Sequence, residues 1–451
     1  MHRKRLAVTL AAMLALSTVA AACGDDDSGD EADKTTTTKG ETTTTAVPAV
    51  PAADNGGRKS ASGPLKIGAI LPQTGKLAPI GPPMIQGGAM AIRDINDAGG
   101  VNGADVTLIQ KDDGGGTTND IAKQSVDVLI NNDKVNAILG PAGSGTTKEV
   151  EDTITSSGTV ECSPSNTGAD LTTKPDKGLY FRTPPPDNLQ AQATAKVLSD
   201  DGRQNVAIVA QNTDYGTGYI EFLKPALKGA GIDVATEVTY DPNGTAFDSE
   251  ISKVESAKPD AVALIGYPED GGLILKGMFQ QGLTPDKLPI YITDGMQDNA
   301  LYKQIDAKDP AVTEGIKGTA AAAAPTNGAP FFPDEFKKFA PEVESPIYSS
   351  QSYDCVALFA LAAQKAKSNA PYDIAAEIGN VSKGETPEAE KCSTIKDCFA
   401  LLADGKDINY EGASGTGDFT EYGEPSAGQY DVYEFKASGE YENFDAIDIA
   451  S

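Results

Sequence analysis

The sequence predicts an α/β protein of two lobes, each a parallel sheet covered by helices. Three observations carry this. Short β-branched runs alternate with stretches of helical period from Leu65 onward, the pattern of repeated βαβ units. About 390 residues of that pattern exceed one comfortable hydrophobic core. Finally, Thr183-Pro184-Pro185-Pro186 interrupts it with three prolines that neither continue a strand nor fit inside a helix, and so mark a break between lobes.

The elements follow in order. Leu65–Leu71 is a strand, and Ile85, Ala89, Ile92 and Ile95 then recur at helical spacing up to Ala98-Gly99-Gly100, a stop signal. Further strands are expected at Val106–Gln110, Val135–Leu139, Val206–Ala210, Val234–Tyr240, Ala261–Ile265 and Ile290–Thr293. Helices are expected between them at Ile121–Ile130, Thr147–Ser156, Leu189–Leu198, Ile220–Ala230, Glu250–Ala257 and Leu273–Gln281. Tyr353–Ala363 is apolar almost all round, which fits a buried helix. After Tyr410 the chain turns to Gly, aromatic and acidic residues, a texture of hairpins.

Ahead of this body, Arg3-Lys4-Arg5, an apolar run Leu6–Leu16 and Ser17-Thr18-Val19-Ala20-Ala21-Ala22 precede Cys23. A basic head, a short apolar body and small residues describe a secretory signal over 1–22, too short to span a bilayer. Cys23 directly after three alanines resembles a bacterial lipobox, which implies a diacylglycerol-modified N-terminus and attachment to the outer face of the cell membrane. Residues 23–63 are rich in Thr, Pro and Asp and read as a solvated tether, with a reach of roughly 35 Å for forty residues of coil. Removal of the signal takes the formal charge from −28 to −31, since Arg3, Lys4 and Arg5 leave with no acidic residue.

Composition closes several routes. The sole histidine is His2, so after processing neither a Ser-His-Asp or Cys-His nucleophile nor a His-ligated metal is available. An enzyme is not expected. The acidity argues against a nucleic acid or an anionic lipid surface as partner. Gly140-Pro141-Ala142-Gly143-Ser144-Gly145-Thr146-Thr147 has the glycine spacing of a phosphate loop, but Thr146 stands where the lysine is required. What remains is a helix start with free N–H groups and hydroxyls, suited to a small anion such as a carboxylate. Ala142 and Thr146 also break the nucleophile-elbow pattern. Asp418–Gly423 has a calcium-loop glycine, but Tyr422 and Gln429 occupy ligand positions, so a turn is expected there, as at Asp241-Pro242-Asn243-Gly244. No cofactor is expected. Beyond Cys23 the cysteines are Cys162, Cys355, Cys392 and Cys398. Cys392 and Cys398, six apart, suit a local bridge; Cys162 and Cys355 then pair or stay buried and reduced. A zinc site lacks the C-x-x-C spacing.

A set of short motifs occurs in one order: Gln73-Thr74-Gly75 after the first strand, Gly87-Gly88-Ala89, Asp94–Gly103, Gly143-Ser144-Gly145, Ser163-Pro164-Ser165-Asn166-Thr167, Phe181-Arg182-Thr183, Asp214-Tyr215-Gly216 and Gly266-Tyr267. With these the chain resembles the branched-chain amino-acid (Leu/Ile/Val-type) substrate-binding proteins of ABC importers, from about residue 64 to the C-terminus. The resemblance implies a type I periplasmic-binding-protein fold: two Rossmann-like lobes, 64–183 with 320–408 and 184–319 with 409–451, joined by a three-crossing hinge. It further implies a monomer that carries an amino acid to a permease and ATPase. The same fold also serves as a sensory module coupled to a signalling partner. By motif, Ser144 and Thr167 match positions that hold the ligand carboxylate, and the Ser165 backbone matches one that helps hold the ammonium. Tyr215 matches the aromatic that closes over the ligand, and Tyr267 a further cleft tyrosine. Asp294 falls where the family has a glutamate for the ammonium, one methylene longer. Ile80 stands where an aromatic often lines the side-chain pocket.

Overall fold

The computed structural model describes residues 63–116, 119–416 and 418–450; the signal segment, Cys23 and the tether lie outside them. The first sheet has five parallel strands, β1 (Lys66–Leu71), β2 (Thr107–Asp112), β3 (Ala137–Leu139), β4 (Val160–Ser163) and β5 (Tyr180–Arg182), in the order β2-β1-β3-β4-β5. Strand order reverses between β1 and β3, so the loops leaving their carboxyl ends diverge and open a crevice, the usual ligand position in such sheets. The second sheet has seven strands. β6 (Asn205–Gln211), β7 (Asp233–Tyr240), β8 (Ala261–Ile265), β9 (Ile290–Ile292) and β10 (Lys317–Ala321) are parallel, and the hairpin β14 (Ala427–Phe435) and β15 (Tyr441–Ala450) adds two antiparallel strands beside β10. Its order, β15-β14-β10-β9-β8-β6-β7, reverses between β6 and β8. A small third sheet joins β11 (Glu390–Cys392), β12 (Ile408–Gly412) and β13 (Gly415–Thr416).

Helices α1 (Gly81–Asp97), α2 (Asn119–Asp127) and α3 (Ser144–Ser156) link the strands of the first sheet, and α4 (Asp187–Asp200), α5 (Asp214–Gly229), α6 (Asp248–Ala257), α7 (Pro268–Gln280) and α8 (Tyr302–Asp306) belong to the second. After β10 come α9 (Phe332–Phe339), α10 (Ser349–Ala366), α11 (Pro371–Lys383) and α12 (Ile395–Ala403). The central stretch of α10 is buried on every side, as its composition requires: an all-apolar helix finds no solvent face. It packs with the first-sheet strands in one core, while two further cores cover the opposite faces of the second sheet.

Three short strands carry no clear signal in the sequence. Val160–Ser163, Tyr180–Arg182 and Lys317–Ala321 are three to five residues long, and two of them contain buried charged residues, Glu161 and Arg182, that hide the apolar run. Several helices also begin earlier than their apolar periodicity: α3 starts at Ser144 and α5 at Asp214, because polar first-turn residues carry no hydrophobic signal. The stretch after residue 408 divides. β12 and β13 pair with β11 and pack beside α11 and α12, and only from Ala427 does the chain join the seven-stranded sheet.

The cysteines are joined in two bridges, Cys162–Cys355 and Cys392–Cys398, with Cα separations of 5.6 and 5.4 Å. The first ties β4 to α10; the second joins β11 to the first turns of α12. Among the described residues no helix is long and apolar enough to cross a membrane, and no group of three or more His, Cys, Asp or Glu side chains is placed to hold a metal ion.

Candidate binding cleft

Both switch points face one cleft. From the first sheet, the loop after β1 brings Leu77 and Ile80, and the loop after β3 brings Ala142 and Ser144. Ser165 and Thr167 follow β4. From the second sheet, Tyr215 follows β6, Tyr267 follows β8 and Asp294 with Gly295 follows β9. Tyr348, one residue before α10, completes the lining. All six ligand-binding candidates read from the sequence therefore meet in one pocket, together with Ile80.

The pocket has chemically distinct ends. On the β3 side, Gly143 caps α3 and Ser144, its first helical residue, lines the pocket; the first-turn N–H groups of a helix have no intrahelical partner and carry partial positive charge. Gly140 has φ +98°, and a side chain there would meet the Ile70 carbonyl at 2.1 Å, which is why the loop after β3 opens on glycine. The Ser144 hydroxyl accepts a hydrogen bond from the Gly168 N–H at 3.1 Å and so keeps its own proton for a further acceptor. Ser165 donates its hydroxyl to the Ala142 carbonyl at 3.0 Å, and its N–H donates to the Ser163 hydroxyl at 3.4 Å. Thr167 is buried, and its carbonyl accepts from the Asp187 N–H at 2.8 Å.

On the β9 side lies Asp294, 2% exposed. One carboxylate oxygen accepts from the Tyr215 hydroxyl and the Gln190 amide, each at 2.9 Å, and the other accepts from the Tyr348 hydroxyl. Burial raises its pKa while these donors pull the other way. They are neutral, so the carboxylate is solvated in place without its charge being cancelled. A group that brings positive charge would complete it. Gly295 is fixed by close approach: a side chain there would meet the Gly266 carbonyl at 2.7 Å and the Tyr215 hydroxyl at 3.2 Å.

The rings of Tyr215 and Tyr267 stack with centroids 5.5 Å apart and 3° between planes, forming one wall. Tyr215 is locked further by a 2.7 Å hydrogen bond with the Thr293 hydroxyl. Leu77, Ile80 and Ala142 supply the apolar remainder. Gln190, Leu77 and Tyr348 were not legible in the sequence. Gln190 lies in the first turn of α4 and Tyr348 takes a left-handed backbone (φ +59°); neither belongs to a local motif, and only chain crossing brings them to Asp294.

Two Rossmann-like sheets whose crevices face each other across a buried polar pocket define a two-lobed solute-binding protein. The profile of the periplasmic binding protein family matches residues 64–399, and the chain belongs to that family. It is 32% identical over 238 residues to the Leu/Ile/Val-binding protein homolog 3 of Brucella melitensis, covering 51% of this chain and 62% of that protein. The chain thus spans under two thirds of the length of this relative. It is 30% identical to the Leu/Ile/Val-binding protein homolog 1 of the same organism, covering 70% of this chain and 82% of that one. A leucine-binding protein from Thermotoga maritima shares the fold with a TM-score of 0.70 at 22% identity, over 85% of this chain and 98% of that structure. A Rhodopseudomonas palustris solute-binding protein in complex with benzoate does so with a TM-score of 0.66 at 18% identity, over 86% and 98%.

Proposed function

We propose that this protein is the extracytoplasmic solute receptor of an ABC importer, lipid-anchored at Cys23, that captures an α-amino acid in the cleft between its lobes and delivers it to the permease and ATPase. The observation that carries the reading is the pairing of opposite needs in one pocket: free helix N–H groups and the Ser144 hydroxyl at one end, the buried Asp294 carboxylate at the other. A zwitterion satisfies both. A plain aromatic acid, such as the benzoate held by the R. palustris protein, satisfies only the first and leaves Asp294 without a counter-charge. Leu77, Ile80 and Ala142 suit an apolar side chain. With Ile80 in place of an aromatic and Asp294 shorter than glutamate, the preference need not follow Leu, Ile and Val. The similarity to the Leu/Ile/Val-binding proteins supports the class of ligand.

A thermal-shift screen of amino acids, amides and small aromatic acids, followed by calorimetry on Asp294→Ala, tests the reading. Stripping a buried charge of its partner costs about 2–5 kcal/mol, or roughly 30- to several-thousand-fold in affinity. If Asp294→Ala binds the best ligand as tightly as the parent, the ligand carries no ammonium there and the amino-acid reading falls. A sensory role is the second reading, favoured by 25% identity over 82% of this chain to the chemotactic signal transduction substrate-binding protein BasB of Halobacterium salinarum. Loss of labelled amino-acid uptake on deletion of the protein supports transport; unchanged uptake supports sensing.

A further inference from the structure

Two lysines of the first lobe reach into the second. Lys76, in the loop between β1 and α1 and next to the pocket residue Leu77, is only 7% exposed. Its ammonium donates to the Pro242 carbonyl and, at 3.0 Å, to the Asn243 side-chain oxygen. Both acceptors lie in the Asp241–Gly244 turn after β7. That turn is preorganised: the Asp241 carboxylate accepts from the Asn243 N–H at 2.9 Å, and the Asp241 carbonyl accepts from Gly244 at 2.8 Å. The positive charge of Lys76 also acts on buried Asp270, in the first turn of α7. Lys148, one turn into α3 from Ser144, bridges Asp214 and Asp170, each at 2.8 Å. Asp170 belongs to its own lobe, but Asp214 opens α5 and immediately precedes Tyr215.

The geometry points to a two-point clasp, Lys76 on the 241–244 turn and Lys148 on Asp214, that closes the cleft independently of the ligand and sets how fast the ligand leaves. Each point stands one residue or one helical turn from a pocket residue, so the pocket cannot open unless both part. They differ in character. Lys76 is desolvated and bound to neutral oxygens, so salt leaves it largely unaffected. Lys148 is about a third exposed and pairs with carboxylates, so salt weakens it. The clasp concerns the same cleft as the proposed receptor function but rests on the contacts between lobes and not on the identity of the ligand.

Small-angle X-ray scattering of the ligand-free protein, its Lys76→Met and Lys148→Met variants and the double variant tests this, at about 50 and about 500 mM salt. Methionine keeps the stem of each side chain and removes the charge. The expected result is a compact parent whose radius of gyration grows with salt, a Lys148→Met protein that has lost the salt response, and a double variant expanded in both conditions. Stopped-flow release of the best ligand from the thermal-shift screen should quicken about tenfold or more in Lys76→Met and about two- to fivefold in Lys148→Met. Should the melting curve show Lys76→Met unfolded, Asn243→Lys replaces it, setting a second ammonium against Lys76 from a surface turn. Identical radii and salt responses in all these proteins would overturn the clasp. Scattering uses no ligand, so this result would count against the clasp even if the amino-acid reading fails.

Discussion

At the scale of the residue, the cleft is built on hydrogen-bond direction. Ser144 accepts from Gly168 and keeps its own proton for a further acceptor, whereas Asp294 accepts from Tyr215, Gln190 and Tyr348 and is left with charge to be met. Ser144→Ala removes one hydroxyl and spares the backbone donors of α3, so calorimetry should show a loss of about 1–3 kcal/mol, less than for Asp294→Ala. Tyr348→Phe takes one of three donors from Asp294 and should weaken binding by a comparable amount. A second set of carboxyls lies outside the cleft. Glu161 on β4 and Glu151 on α3 are fully buried, and their carboxylate oxygens make no hydrogen bond among the described residues, although Lys174 approaches Glu151 at 3.2 Å. Burial pushes Glu151 up to about 7 and Glu161 well above its ordinary value, each opposed by Lys174. The folded protein thus retains protons that the unfolded chain releases above the usual glutamate range. Stability therefore falls as pH rises from that range through about 7, and Glu161→Gln should remove much of the loss. In urea titrations the variant should exceed the parent by about 1–3 kcal/mol at pH 8, with the gap narrowing toward pH 5. An equal gap at both values would show that Glu161 does not titrate in this window.

At the scale of the element, local signals and long-range ties divide the work. α3 begins where a glycine-rich loop leaves β3, and the stretch from Gly140 to Thr147 was legible as a helix start. Apolar periodicity alone placed the helix only from Thr147, because Ser144, Gly145 and Thr146 carry no apolar period. The two disulfides differ in the same way. Cys392 and Cys398 close six residues, while Cys162 and Cys355 close 193 and join the strand β4 to the buried helix α10. In the chain-entropy account a longer closed loop removes more unfolded-state freedom, so replacing Cys162 and Cys355 together by alanine should cost about 4–5 kcal/mol, against about 2 kcal/mol for the short pair. Denaturant midpoints under non-reducing conditions measure both. Equal losses would mean that strain, and not loop length, governs the contribution of one bridge.

At the scale of the whole molecule, the lobes meet where the chain crosses between sheets at the proline run 184–186, between Ala321 and α10, and between β13 and β14. Arg182, wholly buried, ties the first crossing to the third through an ion pair with Glu424, and donates to the Gly168 carbonyl at 2.8 Å and the Thr172 hydroxyl at 2.7 Å. Glu424→Gln keeps the volume and strands the guanidinium charge, so it should destabilise the fold by about 3–5 kcal/mol in denaturant melts. A loss under about 1 kcal/mol would show that the hinge does not depend on this pair. The alternation of strand and helix and the proline break determined the α/β class and the two-sheet plan, because periodicity and turn chemistry are properties of neighbours in the chain, while the six candidate residues came from the family resemblance that the ordered short motifs carry. The contribution of Gln190 and Tyr348 to Asp294, the joining of Lys76 to a turn 166 residues away, and the burial of Glu161 without partners were decided only by the tertiary structure. Each depends on which elements the crossings bring together, and a hydrogen bond between distant segments leaves no period or spacing in the sequence.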